Sequence, residues 1–308
     1  MNKVNHNLGA TVALLVGSIY GVNSIFVKIA HNKGVATFDL IIYQFAFAIL
    51  WFGGKYFVSM NKMSTPFFKT YKSIIKNPYN WLAGITTVLT GLFYYSSIQL
   101  TDPSVASLGL FQYPWILLVI GVVINKEAII LKNMIAVFFI WLGTILLIGG
   151  SIESINILGL FYGFAAGASF ATYLFSLQKI SEHPITKTFI ITIATLLALI
   201  FCVTHLDSIS LFTKDAFIYG LIVAVLGQII SFELMSYAAK RISSMLLGTF
   251  TTTELPVAMI LSWIIWGPSP NIRKLTGLVF MVFSIVWLKY EQTKTASYYR
   301  SNSLEKES

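Results

Sequence analysis

Twelve acidic residues serve this chain of 308, and one of them, Glu254, stands in the middle of a long apolar run. An acidic side chain at the centre of a bilayer-spanning helix costs at least roughly 2.5–3.5 kcal/mol on insertion scales. At 100° per residue, Thr251, Ala258 and Ser262 lie within about 80° of it, making a face of small and polar side chains. Pro256, two residues on, lacks an amide hydrogen and frees a carbonyl beside that face. A carboxyl in a low dielectric favours its neutral form and can release a proton when water reaches it. Glu254 is therefore the candidate for proton coupling. The plainer alternative is a neutral carboxyl hydrogen-bonded to a neighbouring helix.

Other mid-run polar and aromatic residues could line a cavity for an amphipathic organic molecule. Tyr94, Tyr95, Gln112, Tyr113 and Trp115 cluster around Pro114, and Asn23, Tyr43, Gln44, Tyr173, Gln228 and Thr251 join them as candidates. Pro114 and Pro256 are the expected helix kinks. Glu233 is read differently: it lies about 140° from Gln228 on a helical wheel and is expected to pair with a lysine or arginine. Lys28 and Lys55 can reach opposite membrane faces with their long side chains, and are given no role beyond topology. Catalytic groupings are not found. His6, His31, His183 and His205 fall in tails or at span ends, and Cys202 is the sole cysteine. There is no phosphate-binding loop, zinc-protease motif or redox pair. The chain is read as a non-enzyme, with no cofactor or metal site expected.

The elements that must position these residues are membrane helices. The chain is 56% hydrophobic and 11% charged, with a mean hydropathy of +0.76, whereas soluble domains carry about 25% charged residues. That excludes a cytosolic enzyme, a nucleic-acid binder and a secreted module. Runs long enough to cross a bilayer fall at 8–30, 38–58, 80–100, 104–124, 131–150, 157–178, 187–204, 216–238, 243–266 and 273–290. Placing the N-terminus inside puts 16 of the 21 Lys and Arg residues on the inner side, as the positive-inside rule requires. Both termini are then cytoplasmic, and the net charge of +9 is a property of one face. Between Pro66 and Lys76, Phe67, Phe68, Tyr71, Ile74 and Ile75 share one helical face and Lys69, Lys72 and Lys76 the other. That pattern reads as a short helix lying in the inner headgroup layer. Residues 291–308 read as a polar, disordered cytoplasmic tail.

The halves of the chain echo one another. Ala13, Gly17 and Gly21 are matched by Gly163, Gly167 and Ala171, Gly84 and Gly91 by Gly220 and Gly227, and Pro114 by Pro256. Five spans per half is an odd number, so the second half must cross the membrane upside down, which is an architecture of secondary transporters. The fold expected is all-α and integral to the membrane: ten transmembrane helices as two inverted five-helix repeats, over 1–150 and 157–290.

On these segments the chain resembles the drug/metabolite transporter superfamily, in its ten-helix EamA-type branch. Gly17-Ser-Ile-Tyr-Gly21, Asp102-Pro-Ser-Val-Ala-Ser107, Asn125-Lys-Glu127 and Glu254-Leu-Pro256 carry the likeness, and Gln44 stands where relatives often have arginine. The resemblance implies a multi-pass plasma-membrane transporter. Together with the repeat it gives the leading expectation: export of a small organic solute such as an amino acid by alternating access, with protons as the candidate coupling ion. Efflux of drugs or toxic compounds is the alternative that an aromatic cavity equally allows. A channel would need a polar filter or charged ring, and a membrane enzyme a cluster of His, Asp or Ser, and neither is found. The expected partners are the lipid bilayer and the solute, with no nucleic acid; the oligomeric state is not legible.

Overall fold

Hydrocarbon offers no water to a backbone amide or carbonyl, so a chain this apolar must satisfy its backbone internally. The computed structural model does so with helices alone; no strand occurs among the described residues, which are 6–60, 67–100, 103–128, 131–148, 156–203, 213–267 and 271–305. In chain order the helices are α1 (His6–Asn32), α2 (Thr37–Met60), α3 (Phe67–Lys76), α4 (Pro78–Leu100), α5 (Pro103–Leu110), α6 (Tyr113–Asn125) and α7 (Leu131–Ile148). The second half holds α8 (Ile157–Lys179), α9 (Pro184–Val203), α10 (Lys214–Val223), α11 (Ser231–Ala239), α12 (Ser244–Thr251), α13 (Glu254–Trp266) and α14 (Ile272–Glu305). A π-helical segment, Ala224–Ile230, joins α10 to α11 without a break.

Among the described residues, seven helical stretches are both long and apolar enough to cross a bilayer: α1, α2, Ala106–Asn125, α8, Pro184–Phe201, Lys214–Ala239 and Ser244–Trp266. Helices α4, α7 and α14 fall on the other three runs read as spans. Thr86, Thr87, Thr90, Ser96 and Ser97 dilute the apolar character of α4, and α7 contributes a shorter apolar stretch, Met134–Leu147. Helix α3 forms where the amphipathic segment is expected, with Trp81 Nε1 donating to the Ile75 carbonyl at 2.9 Å. The tail differs from expectation: α14 continues through 291–305. No Gly or Pro follows Gly277 to stop it, and a polar segment free of both is compatible with helix. Asp102 and Pro268 lie outside the described residues.

Two helical stretches are interrupted, each just before its proline. Phe111 and Gln112 separate α5 from α6, with Pro114 in the first turn of α6. Thr252 and Thr253 separate α12 from α13, with Pro256 in its first turn. Proline removes the donor that the carbonyl four residues earlier would use, namely that of Leu110 or Thr252. Backbone of this kind is tolerated at membrane depth only when covered by protein, and glycine faces cover it. A Cβ on Gly17 would stand 2.6 Å from the Thr251 carbonyl oxygen, and one on Gly21 2.7 Å from that of Glu254. Across the fold, a Cβ on Gly167 would stand 2.7 Å from the Leu110 carbonyl oxygen, and one on Gly163 3.1 Å from that of Ala106. Helix α1 thus lies in the α12–α13 break as α8 lies in the α5–α6 break. The two broken helices also end alike, on left-handed residues: Lys126 at φ 54° and Gly267 at φ 74°.

The main core joins both halves, with Tyr113, Leu117, Leu174, Leu177, Phe232 and Phe250 fully or almost fully buried. The outer faces carry Leu50, Phe57, Val123, Phe161, Ile264 and Val286, all large, apolar and exposed, as a lipid solvent requires. The close approach at Gly17 sets a stability prediction. Gly17→Ala should destabilise the protein by about 1–3 kcal/mol through overpacking against the Thr251 backbone. Gly53→Ala, whose Cβ meets nothing within 4 Å, should be neutral or stabilise by up to about 1 kcal/mol through helix propensity. Thermal unfolding in detergent measures both.

Candidate functional site

One face of the α1 helix carries Tyr20, Asn23, Ser24, Val27, Lys28 and His31 at intervals of three and four residues, and all six line a cavity of about 760 Å³. Helix α2 adds Thr37, Ile41, Gln44 and Phe45, and α4 adds Thr87, Val88, Thr90, Gly91 and Tyr94. Leu110, Phe170, Tyr173, Gly227, Gln228 and Glu254 complete the wall. The breaks described above put two of these in place: Leu110 ends α5, and Glu254 begins α13.

The cavity's depth can be read along α1. Gly21 packs on the Glu254 backbone, so Asn23 lies about 3 Å further along the axis, Lys28 about 10 Å and His31 about 15 Å, at 1.5 Å per residue. Thr37, at the start of α2, lines the same far end. The cavity therefore runs from the level of Glu254 towards the α1–α2 connection. Lys28 holds its ammonium 4.1 Å from the centroid of the Trp266 ring at that end. Beyond it, Lys33 donates to Asp215 at 3.1 Å; the Tyr219 hydroxyl and the Asp215 carboxylate hold the Lys33 ammonium above its usual range.

The inner end has aromatic walls and few hydrogen bonds. Phe170 meets Tyr20 edge to face at 6.3 Å, stacks on Tyr173 at 6.0 Å and receives the edge contact of Tyr113 at 4.8 Å. Tyr94 and Ser107 share a hydrogen bond at 2.9 Å. Gln44 Nε2 donates to Gln228 Oε1 at 3.1 Å, linking α2 to the π-helical segment. Two polar side chains stand out against this. Asn23 lies over Gly227 and its buried Oδ1 has no hydrogen-bond partner among the described residues. The Glu254 carboxyl likewise has neither an ion pair nor a side-chain hydrogen bond among them; Lys28, on the same wall, is turned to Trp266.

The opposite face is tied shut. Glu233 accepts from Lys55 at 2.6 Å and from Lys187, joining α2, α9 and α11; this is the cationic pairing its position on the wheel suggests, and it gives Lys55 a partner beyond topology. Glu127 accepts from the Ser244 hydroxyl at 2.8 Å and the Ser244 amide at 3.3 Å, an acid at the N-terminus of α12, where helix dipoles favour negative charge. Lys240 donates to the Gln178 carbonyl at 2.7 Å, Arg241 to Glu182 at 3.0 Å, and Lys289 to the Asn7 carbonyl at 2.8 Å. None of these residues lines the cavity.

Of the residues singled out in the sequence, the fold brings Asn23, Gln44, Tyr94, Tyr173, Gln228 and Glu254 to one cavity. It places the others elsewhere. Tyr43 packs against Phe47, Phe217 and Gly220. Tyr113 is fully buried below the wall, bonded to Thr251 at 3.1 Å. Trp115 is exposed on the outer face, where it and Trp141 both donate to Gln112 Oε1, at 2.9 and 3.0 Å. The Tyr95 side chain lies outside the described residues. Tyr20, Thr87 and Thr90 were not singled out, and Lys28 was read for topology alone, although two stripes mark them: 20, 23, 24, 27, 28, 31 on α1 and 87, 90, 91, 94 on α4, both at helical spacing.

Residues 157–290 match the model of the EamA-like transporter family. That match bears out the resemblance read from the sequence, and with the membrane-length helices it makes the chain a multi-pass, transporter-like membrane protein. Among the solved structures that match is a chain titled only "Crystal structure of protein", 14% identical, with a TM-score of 0.69 over 91% of this chain and 94% of that one. At that identity the likeness concerns fold alone. No curated protein matches by sequence.

The placement separates two aromatic residues that the sequence grouped together. Tyr94→Ala should slow solute transport in proteoliposomes by about three- to tenfold, through loss of aromatic contact worth about 0.5–1.5 kcal/mol. Trp115→Ala should leave transport within about twofold, since an exposed surface substitution changes little. Equal loss in both would move the solute path towards the α6–α7 face.

Proposed function

We propose that the chain is a secondary active transporter that exports a small organic metabolite, such as an amino acid, by alternating access. The observation that carries this reading is a carboxyl without a partner at the inner end of a cavity that reaches one face while the opposite face is tied by ion pairs. Alternating access needs one open side, one closed side and a site between them. Ten membrane crossings in two inverted repeats account for the paired glycine faces and paired breaks. With both termini cytoplasmic, the tied face is the inner one and the cavity opens outward from a plasma membrane. Glu254 then holds a proton at rest and releases it when the cavity is hydrated, which couples solute movement to the proton gradient.

The aromatic walls of Tyr20, Tyr94, Phe170 and Tyr173 support a second reading, efflux of apolar drugs or toxic compounds. Comparing the metabolites in spent medium from cells with and without the protein, alongside growth in toxic compounds, separates the two. A metabolite accumulating only when the protein is present supports the first; tolerance without any metabolite difference supports the second.

Coupling is tested by Glu254→Gln, which keeps the shape and hydrogen bonding of the side chain but cannot titrate. In proteoliposomes it should abolish accumulation driven by a pH gradient while sparing solute binding. Accumulation equal to wild type would remove the coupling role. Topology is tested by reporters fused in the Ser59–Tyr79 loop and at the C-terminus, both of which should report cytoplasm. An external signal at either one would break the five-plus-five arrangement.

A further inference from the structure

We infer that α3 is a docking surface for anionic lipid headgroups, and that lipid held there braces the start of α9, where the tied end of the bundle is closed. The surface is independent of whatever the cavity carries.

Helix α3 shows three strips. Ile74 is buried against the protein, Tyr71 and Ile75 are each 39% exposed, and Lys72 and Lys76 are fully in the open. At about 100° per residue, Tyr71 and Ile75 share one line, with Ile74 to one side of it and the two lysines to the other. A half-covered apolar strip bordered by lysines is the form of a helix lying on a bilayer, its ring and branched chain among the acyl ends and its ammonium groups at the phosphates. Depth agrees with this. Trp81, in the first turn of α4, is 42% exposed and donates to the Ile75 carbonyl, and half-exposed tryptophans mark the membrane–water boundary.

The charge fits one kind of partner. No Asp or Glu occurs between Asp39 and Asp102. Lys72 and Lys76 make no ion pair among the described residues, and neither does the exposed Lys179, whose carbonyl accepts from Asn77 Nδ2 at 3.2 Å just past the end of α3. The carboxylates at this end are engaged elsewhere: Glu233 by Lys55 and Lys187, Glu182 by Arg241. A soluble acidic partner would satisfy the lysines and leave Tyr71 and Ile75 uncovered; an anionic lipid satisfies both strips at once.

Three successive residues connect α3 to the closure. In the first turns of α9, Lys187 ties Glu233 of α11, and the Thr188 hydroxyl donates to the Phe52 carbonyl of α2 at 2.8 Å. Phe189 meets Tyr71 of α3 edge to face at 6.3 Å and Trp81 of α4 at 5.2 Å. With α3 fixed on headgroups, Phe189 is held, and the turn carrying Lys187 is held with it.

Hydrogen exchange tests this on the full-length protein in nanodiscs of phosphatidylcholine, with and without phosphatidylglycerol. The anionic lipid should slow exchange across 70–76 and 186–190 at least roughly fivefold at low salt, since one lysine at an anionic surface is worth about 1 kcal/mol and local opening sets the rate. High salt should shrink the effect. Lys72→Gln with Lys76→Gln should remove most of it while leaving exchange in phosphatidylcholine unchanged. Phe189→Leu, which stays apolar but loses the ring contacts, should keep the effect in α3 and lose it in α9. Equal exchange in both bilayers, undiminished slowing in the double variant, or the same slowing by inorganic phosphate in neutral discs overturns the lipid surface. Slowing confined to α3 in the wild type overturns the brace.

Discussion

A helix that breaks inside hydrocarbon exposes carbonyls that no solvent molecule will reach, and most of this architecture answers that constraint. The breaks at Phe111–Gln112 and Thr252–Thr253 survive because α8 and α1 offer faces almost without side chains, on which the freed backbone lies directly. Those contacts join one half of the chain to the other. They also decide where the cavity can be, since the last turn of α5 and the first turn of α13 supply Leu110 and Glu254 to its wall. Packing and site are here one arrangement.

The two ends of the bundle are held by different physics. At the end carrying the N-terminus of α1, carboxylates meet cationic side chains and a helix N-terminus: Glu233 between two lysines, Glu127 at α12, Glu182 on Arg241. Lys187 is the most buried partner, its side chain 8% exposed, and a buried charge left without its counter-ion is far costlier than an exposed one. At the other end the described contacts are looser: Lys33 with Asp215, both nearly half exposed, and Lys28 against an indole. Lys55, Lys187 and Arg241 supply the ties of this end.

Much of this was legible in the sequence because membrane helices obey few rules. Run length and charge bias marked the helices, and the repeated Gly and Pro positions marked where helices meet and break. Glu254, Asn23, Gln44 and Gln228 could be found as polar residues far from any run end. What depth along a run does not give is direction around the axis. Tyr113, Trp115 and Gln112 sit within four residues of one another, yet one is sealed in the core, one faces outward and one binds indoles there. The break beside Pro114 resets the helical phase, so a wheel drawn through it misassigns its faces. Where α1 and α4 run unbroken, their three-and-four stripes would have pointed to Tyr20, Thr87 and Thr90.

The π-helical segment between α10 and α11 makes chain length itself a specification. A π turn holds about one residue more than an α turn, so it behaves as a single-residue insertion retained within the helix. Upstream of it the helix turns Gly220 to Tyr43; within it Gly227 meets Asn23 and Gln228 reaches Gln44; downstream Glu233 meets its two lysines. Deleting any one residue from 224–230 would permit a regular helix, with the same hydrophobicity and a better backbone. The wide turn takes up the extra residue locally, so such a deletion would leave the flanking turns in phase but remove the segment's own contacts, Gly227 on Asn23 and Gln228 on Gln44. Part of the cavity wall would go with them. A gap in this stretch is therefore a graver change than most substitutions in it.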